Sequence, residues 1–178
     1  LGPHHFTAWQ GLHETESAGA YLLQFLAIPC FCGGRVLIDQ LLAGARPPGY
    51  ANQRTTRYPV VYALHGYSIG AEQWSHEIHA PQTIEGAFAS GAKEMIVVLP
   101  DSKTLHNGSM YSGSITTGDF ESFIARDVVA YVDAHYRTIP ERRSRGLAGH
   151  SMGGYGAARI GMKHADVFGS LYLMSPCF

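Results

Sequence analysis

A chain of 178 residues has the length of one domain and can bury about 70% of the surface it exposes when unfolded. Its formal net charge of -1, with 46% hydrophobic and 15% charged residues, implies no basic face for nucleic acid and no polybasic patch for a membrane surface, so neither partner is predicted. No apolar run reaches the roughly 18 residues of a membrane span. Three cysteines without a Cys-x-x-Cys pair predict free thiols and leave the compartment open, with a cytoplasmic location slightly favoured over secretion.

The first 45 residues cannot be assigned to elements from the sequence. Residues 21–28 and 35–42 are both apolar enough to form either a helix or a strand. The character changes at the rigid turn Pro47-Pro48-Gly49-Tyr50. We therefore predict an unassigned segment at 1–45 and a folded core at 46–178.

From residue 58 onward, strands and helices alternate. Short apolar runs predict strands at 58–64, 94–99, 145–149 and 170–174, and helical patterns lie at 71–79, 84–90, 119–137 and 155–164. In the helix at 119–137 one face carries the apolar side chains, namely Phe120, Phe123, Ile124, Val128, Tyr131 and Val132, together with His135. This order predicts an α/β fold with a mostly parallel, doubly wound sheet and helices on both faces.

The most informative stretch is Gly149-His150-Ser151-Met152-Gly153-Gly154, between a predicted strand and a predicted helix. Gly-x-Ser-x-Gly in this context is the nucleophile elbow, which presents its serine hydroxyl on a strained turn. A side chain at either flanking glycine would collide with the neighbouring strand or helix. The pattern predicts that Ser151 is a nucleophile, with the first amides of the helix facing the charge that develops during the reaction.

Five ordered motifs together resemble the esterase D-like branch of the α/β-hydrolases, which includes S-formylglutathione hydrolases, feruloyl and acetyl-xylan esterases and mycolyltransferases. They are Pro47-Pro-Gly-Tyr, the strand ending in His65-Gly66, Val97-Val-Leu-Pro-Asp101, residues 146–157 around the elbow, and His164-Ala-Asp-Val-Phe168. The similarity covers residues 46–178 and leaves the substrate unspecified. It implies an α/β-hydrolase-like fold in which Ser151 accepts the acyl group and the backbone N–H groups of Tyr67 and Met152 form the oxyanion hole.

The resemblance also exposes a gap. In this fold the catalytic acid and histidine follow the nucleophile, but only His164 and Asp166 follow Ser151, and they match a surface segment of the family. We therefore expect the C-terminal part of the fold, with the acid and base, to be missing. Three hypotheses remain: the chain is a fragment or a cleaved enzyme, it borrows a base such as His106 or a histidine of another protomer, or it is catalytically inactive.

Four further residues are predicted to line the pocket: His65, Asp101, Tyr111 and His150. His65 is interpreted as structural rather than as a base, and His150 as a packing residue at the elbow, because adjacent side chains cannot form a nucleophile–base pair. Asp101 can either cap a helix or line the pocket. Tyr111 and Trp74 are candidates for an apolar wall, although Trp74 equally fits the core.

The pair His76 and His79 lacks a third ligand at suitable spacing, so no metal site is predicted. The sequence predicts a carboxylic ester hydrolase that acts on a small-molecule ester through an acyl-serine intermediate and needs no cofactor. The alternatives are an incomplete α/β-hydrolase fragment that serves as a binding module, or an acyltransferase of the same fold. An open sheet edge at Ser170–Met174 predicts self-association as a homo-oligomer.

Overall fold

The computed structural model of the chain describes residues 26–32 and 35–178. The two ambiguous N-terminal segments are strands where they are described, β1 (Leu26–Cys32) and β2 (Arg35–Ala45). The remaining main-sheet strands are β3 (Val60–Leu64), β4 (Ile96–Pro100), β7 (Arg145–His150) and β8 (Ser170–Met174), and a small hairpin pairs β5 (Gly113–Ser114) with β6 (Gly118–Asp119). The helices are α1 (Ala71–His76), α2 (Ala80–Ala89), α3 (Phe120–Ser122), α4 (Val129–His135) and α5 (Met152–Lys163).

The main sheet has six strands in the order β1-β2-β4-β3-β7-β8. The four strands from β4 to β8 are mutually parallel, while β2 pairs antiparallel with both β1 and β4. The predicted mostly parallel α/β sheet is thereby confirmed. It extends into the segment before residue 46, because β2 runs along the free side of β4.

Helices cover both faces of this sheet. On one face Ile96 and Val98 of β4 pack with the buried side chains of α3, α4 and α5. On the other face Val97 and Leu99 pack with Ala71 of α1 and Ile84 of α2. Successive residues of a strand point to opposite faces, and all five residues of β4 are buried, as expected for a strand covered on both sides.

The strand register places the predicted site at one edge of the sheet. Leu64 of β3 lies opposite Gly149 of β7, and His150 lies opposite Met174 of β8. The residues that follow these strands, together with Asp101 after β4, therefore meet at the carboxyl ends of the parallel strands. Ligands bind at this edge in open α/β sheets.

The predicted helix at 119–137 is interrupted by a π-helical stretch, Phe123–Val128, between α3 and α4. Because a π-turn contains more residues than an α-turn, it shifts the buried stripe along the helix. Val129 and Val132 are buried, while His135 is exposed and stacks on Tyr131, with the two ring centroids 4.0 Å apart. His135 therefore lies beside Tyr131 at the exposed margin of the helix.

Strand β8 forms one end of the sheet, and its outer edge has no partner within the described residues. Leu171, Tyr172 and Leu173 are all substantially exposed on it. Cys177, just beyond β8, is an exposed free thiol. No helix in the described ranges combines the length and apolarity needed to cross a bilayer.

Candidate active site

Ser151 occupies a strained turn between β7 and α5. Its backbone angles, φ 55° and ψ -116°, lie outside the regions that residues other than glycine usually adopt. The surrounding structure holds this conformation, since the Ser151 amide donates to the Met174 carbonyl over 2.9 Å and the Ser151 carbonyl accepts from the Tyr155 amide over 3.0 Å. The side chain is half-buried at the N-terminus of a 12-residue helix. No described side chain hydrogen-bonds to its hydroxyl.

The glycines on either side of Ser151 have a steric cause. A Cβ on Gly149 would lie 2.0 Å from the Gly153 carbonyl oxygen, and a Cβ on Gly153 would lie 2.0 Å from the Leu64 carbonyl oxygen. Both neighbours are backbone atoms, which cannot move aside without unfolding the turn. The elbow therefore forms only with glycine at these two positions.

The loop after β3 is held from beneath by His65, whose side chain is fully buried. The Ser102 amide donates to His65 Nε2 over 2.8 Å, so Nε2 is the acceptor and the ring hydrogen lies on Nδ1. Nδ1 in turn donates to the Gly66 carbonyl oxygen over 2.8 Å. In a trans peptide the C=O and the following N–H point in opposite directions. The Tyr67 amide is therefore turned away from His65.

Asp101 joins this loop to the end of β4. Its Oδ1 accepts from the Lys103 amide over 2.6 Å, and its Oδ2 accepts from the Ala71 amide, at the start of α1, over 3.1 Å. Burial alone would raise the pKa of Asp101, but the hydrogen bonds from these two amides outweigh it and hold the pKa below its usual value. Of the two predicted roles, this geometry corresponds to capping.

The amides of Tyr67 and Met152 have no protein acceptor among the described residues. The Met152 amide belongs to the first turn of α5, where N–H groups lack partners within the helix and the helix dipole favours negative charge. The two chain segments are in contact, since a Cβ on Gly66 would lie 3.6 Å from the Ser151 Cβ. This arrangement offers two free donors beside one serine.

Two of the residues predicted to line the pocket lie beneath it instead. Tyr111, like His65, is fully buried, and its hydroxyl donates to the His65 carbonyl over 3.0 Å. A side chain without solvent exposure supports the loop rather than lining a cleft. His150 is exposed beside the elbow, and its Nδ1 would lie 3.6 Å from a Cβ on Gly66. Trp74 is half-buried on α1, and no group of metal-ligating side chains occurs within the described residues.

The histidine downstream of Ser151 is placed far from it. His164 follows the C-terminal end of α5, whose 12 residues span about 18 Å, whereas Ser151 precedes its N-terminal end. His164 Nε2 lies 3.3 Å from Glu121 Oε1, in a cluster where Glu121 also contacts Lys163 and Arg159. Asp166 is exposed two residues further on. Neither residue can reach the Ser151 hydroxyl.

Apart from His106 as a candidate base, sequence reasoning missed the part of the site that is formed by residues 102–108. Ser102 orients the His65 ring, and the carbonyl of His106 accepts a hydrogen bond from the Tyr67 hydroxyl over 3.1 Å. The only sequence signal was the position of Asp101-Ser102 directly after a buried strand. The loop itself has no periodic pattern, so its contacts depend on tertiary packing alone.

Comparisons with known proteins also indicate chemistry at a nucleophilic serine. The Esterase family model matches residues 43–178. An endo-1,4-beta-xylanase/feruloyl esterase of Xylanibacter ruminicola is 28% identical over 133 residues, which cover 72% of this chain and 18% of that protein. A solved ferulic acid esterase is 30% identical with a TM-score of 0.69, over 77% of this chain and 53% of that one. The fluorophosphonate-binding serine hydrolase F of Staphylococcus aureus is 25% identical with a TM-score of 0.69, over 91% of this chain and 59% of that one. The chain thus spans little more than half the length of these solved relatives.

Proposed function

Because this chain belongs to the Esterase family, we propose that it is a serine-dependent carboxylic ester hydrolase that acts through an acyl-serine intermediate on Ser151. The observation that carries the proposal is the strained turn at Ser151, which places the serine at the N-terminus of α5 beside the free amides of Tyr67 and Met152. Strain is retained at such a position when the surrounding structure enforces it, which is typical of functional residues.

The proposed reaction has two steps. The Ser151 oxygen attacks the ester carbonyl carbon while a histidine base takes its proton, and the resulting oxyanion accepts hydrogen bonds from the Tyr67 and Met152 amides. The tetrahedral intermediate collapses, the alcohol leaves with a proton from the histidine, and the acyl group stays on Ser151. Water then attacks the acyl-enzyme by the same route and releases the acid. Removing one such donor typically costs about 3 to 4 kcal/mol of barrier.

The base is either His106 or a histidine outside the described part of this chain, for example a histidine of another protomer. His106 lies on the loop that contacts the Tyr67 hydroxyl, and its side chain is exposed. His65 does not qualify because both of its ring nitrogens are engaged in hydrogen bonds in a fully buried position. The His106→Gln variant distinguishes the two sources.

The substrate that we propose to test first is an ester of ferulic acid. Two of the similar proteins described above carry feruloyl or ferulic acid esterase in their names. Methyl ferulate should therefore be hydrolysed faster than methyl butyrate. If the acyl-enzyme reacts with an added alcohol or sugar in preference to water, the chain is an acyltransferase of the same fold.

The alternative of a non-catalytic binding module is not favoured by the esterase and serine hydrolase relatives. Intact mass before and after treatment with a fluorophosphonate separates the two. An enzyme should form a single adduct that is absent in Ser151→Ala and retained in the control Ser90→Ala, an exposed serine at the end of α2. Absence of an adduct on the folded wild-type chain would reject the esterase and favour the binding module.

A further inference from the structure

Residues 104–108 form a short loop that is closed by the Thr104 hydroxyl and one backbone hydrogen bond. Thr104 Oγ1 donates to the Gly108 carbonyl over 2.7 Å and accepts from the His106 amide over 3.0 Å. The Asn107 amide also donates to the Thr104 carbonyl over 3.0 Å. Asn107 has φ 64°, a left-handed conformation that asparagine tolerates better than most residues. The Thr104 hydroxyl thus joins the two ends of the loop.

The same loop contacts both segments that carry the free amides. The Asn107 carbonyl accepts from the Ser68 amide over 2.8 Å, and the His106 carbonyl accepts from the Tyr67 hydroxyl over 3.1 Å. Gly108 lies against both segments, since a Cβ there would be 2.6 Å from the Met152 Sδ and 2.9 Å from the Tyr67 Cδ2. The Met152 side chain is fully buried, so it has little space into which it can move.

We propose that the 104–108 loop is a positioning element that sets the distance between the Tyr67 and Met152 amides, with Thr104 closing the loop and Gly108 as its contact surface. The proposal rests on the proposed function, in which these two amides bind the oxyanion. Neither Thr104 nor Gly108 touches the reacting atoms. They act through Tyr67, Ser68 and Met152, because β3 and β7 alone fix only the starting points of the two segments.

The positions of the amides can be measured without any catalysis. In ¹⁵N-labelled protein, Thr104→Val removes the hydroxyl at nearly constant volume. It should shift the amide resonances of Tyr67 and Met152 and speed hydrogen exchange of the Ser68 amide by about tenfold. Thr104→Ser, which keeps the hydroxyl, should restore both readouts. Thr83→Val is the matched control, because it removes an exposed threonine hydrogen bond on α2.

Gly108→Ala tests the contact surface independently, in case Thr104→Val does not fold. The added methyl group should move the Met152 amide resonance while the Thr104 hydroxyl remains in place. Gly86→Ala is its control, since a Cβ on that exposed glycine of α2 meets no atom within 4 Å. Unchanged Tyr67 and Met152 amides in either folded test variant would overturn the positioning role.

Steady-state kinetics links the loop to turnover. If the wild type hydrolyses p-nitrophenyl acetate, Thr104→Val and Gly108→Ala should lower kcat by about tenfold and change KM less than twofold. The reason is that a displaced amide loses its hydrogen bond chiefly to the oxyanion of the transition state. An equal rise in KM with constant kcat would overturn the proposal. If the wild type is inactive while the amides shift as expected, the esterase function fails and the positioning role stands.

Discussion

The two ring nitrogens of His65 can be tested separately with a pair of substitutions. An asparagine amide reaches the place of Nδ1, and a glutamine amide reaches the place of Nε2. His65→Asn therefore keeps the donor to the Gly66 carbonyl and loses the acceptor for the Ser102 amide. His65→Gln does the reverse. Both variants keep a polar amide in the same fully buried position, so they are matched controls for each other.

We expect the two variants to lose similar stability but different amounts of activity. Each variant leaves one buried backbone group unsatisfied, which costs about 1 to 3 kcal/mol of the free energy of unfolding. Only His65→Gln releases the Gly66 carbonyl and, with it, the orientation of the Tyr67 amide in the same peptide. Loss of one oxyanion-hole donor lowers kcat by about 10² to 10³. We thus expect similar melting temperatures for the two variants and at least a tenfold lower kcat for His65→Gln.

The assay is hydrolysis of p-nitrophenyl acetate, with kcat and KM measured well below the melting temperature of the less stable variant. A trifluoromethyl ketone, which forms an oxyanion on addition of serine, should lose affinity for His65→Gln in proportion to the loss of kcat/KM. Equal activity of the two variants, or lower activity of His65→Asn, would refute the argument that His65 orients the Tyr67 amide.

Three further predictions concern stability and assembly. Gly156→Ala should destabilise the fold by about 1 to 3 kcal/mol relative to Gly86→Ala, measured by urea unfolding, because its Cβ would lie 2.4 Å from the buried Tyr111 ring. The pKa of Asp101 is lower in the folded than in the unfolded protein, so Asp101 contributes its full stabilisation above the unfolded pKa, near 4. That stabilisation is lost as the pH falls through the lower folded pKa. Asp101→Asn should therefore remove this part of the acid dependence of stability, measured by melting curves at pH 2 to 6. Self-association through β8 should appear by sedimentation at micromolar concentration and be weakened by Tyr172→Lys, whereas a wild-type monomer would contradict it.

The elements around the elbow could be predicted because their signals are local. A short β-branched run predicted β4, which is buried along its whole length, and Gly149 and Gly153 marked a turn at which backbone atoms leave no space for a Cβ. Helix α5 begins at Met152, earlier than predicted, because its first turn contains glycines, which have low helix propensity alone. In the fold Gly153 faces the backbone of β3, and Gly154 faces the end of β8. Local pattern and tertiary contact agree at these positions.

The remaining features depend on partners that are distant in the sequence. Strand β2 has the composition of a helix or a strand, and antiparallel pairing with β4 decides between them. Tyr111 lies within a polar loop and is predicted at an apolar pocket wall, yet its hydroxyl reaches the His65 carbonyl, 46 residues away in sequence. These pairings cannot be predicted from the residue types alone.

The proposed oxyanion hole is formed by backbone atoms, so its geometry is difficult to predict from residue types. One donor amide is oriented through His65 and Gly66, the other by the start of α5, and the 104–108 loop contacts both. Three segments that are separated by about 40 residues each thus contact one another, and two of them flank Ser151. Charge stabilisation by such preorganised amides uses the backbone N–H groups of Tyr67 and Met152 rather than their side chains. The positions of these amides do require a buried acceptor and donor at His65 and the absence of a side chain at Gly108. Substitutions at these two supporting positions should therefore affect turnover more than changes to the exposed Tyr67 ring.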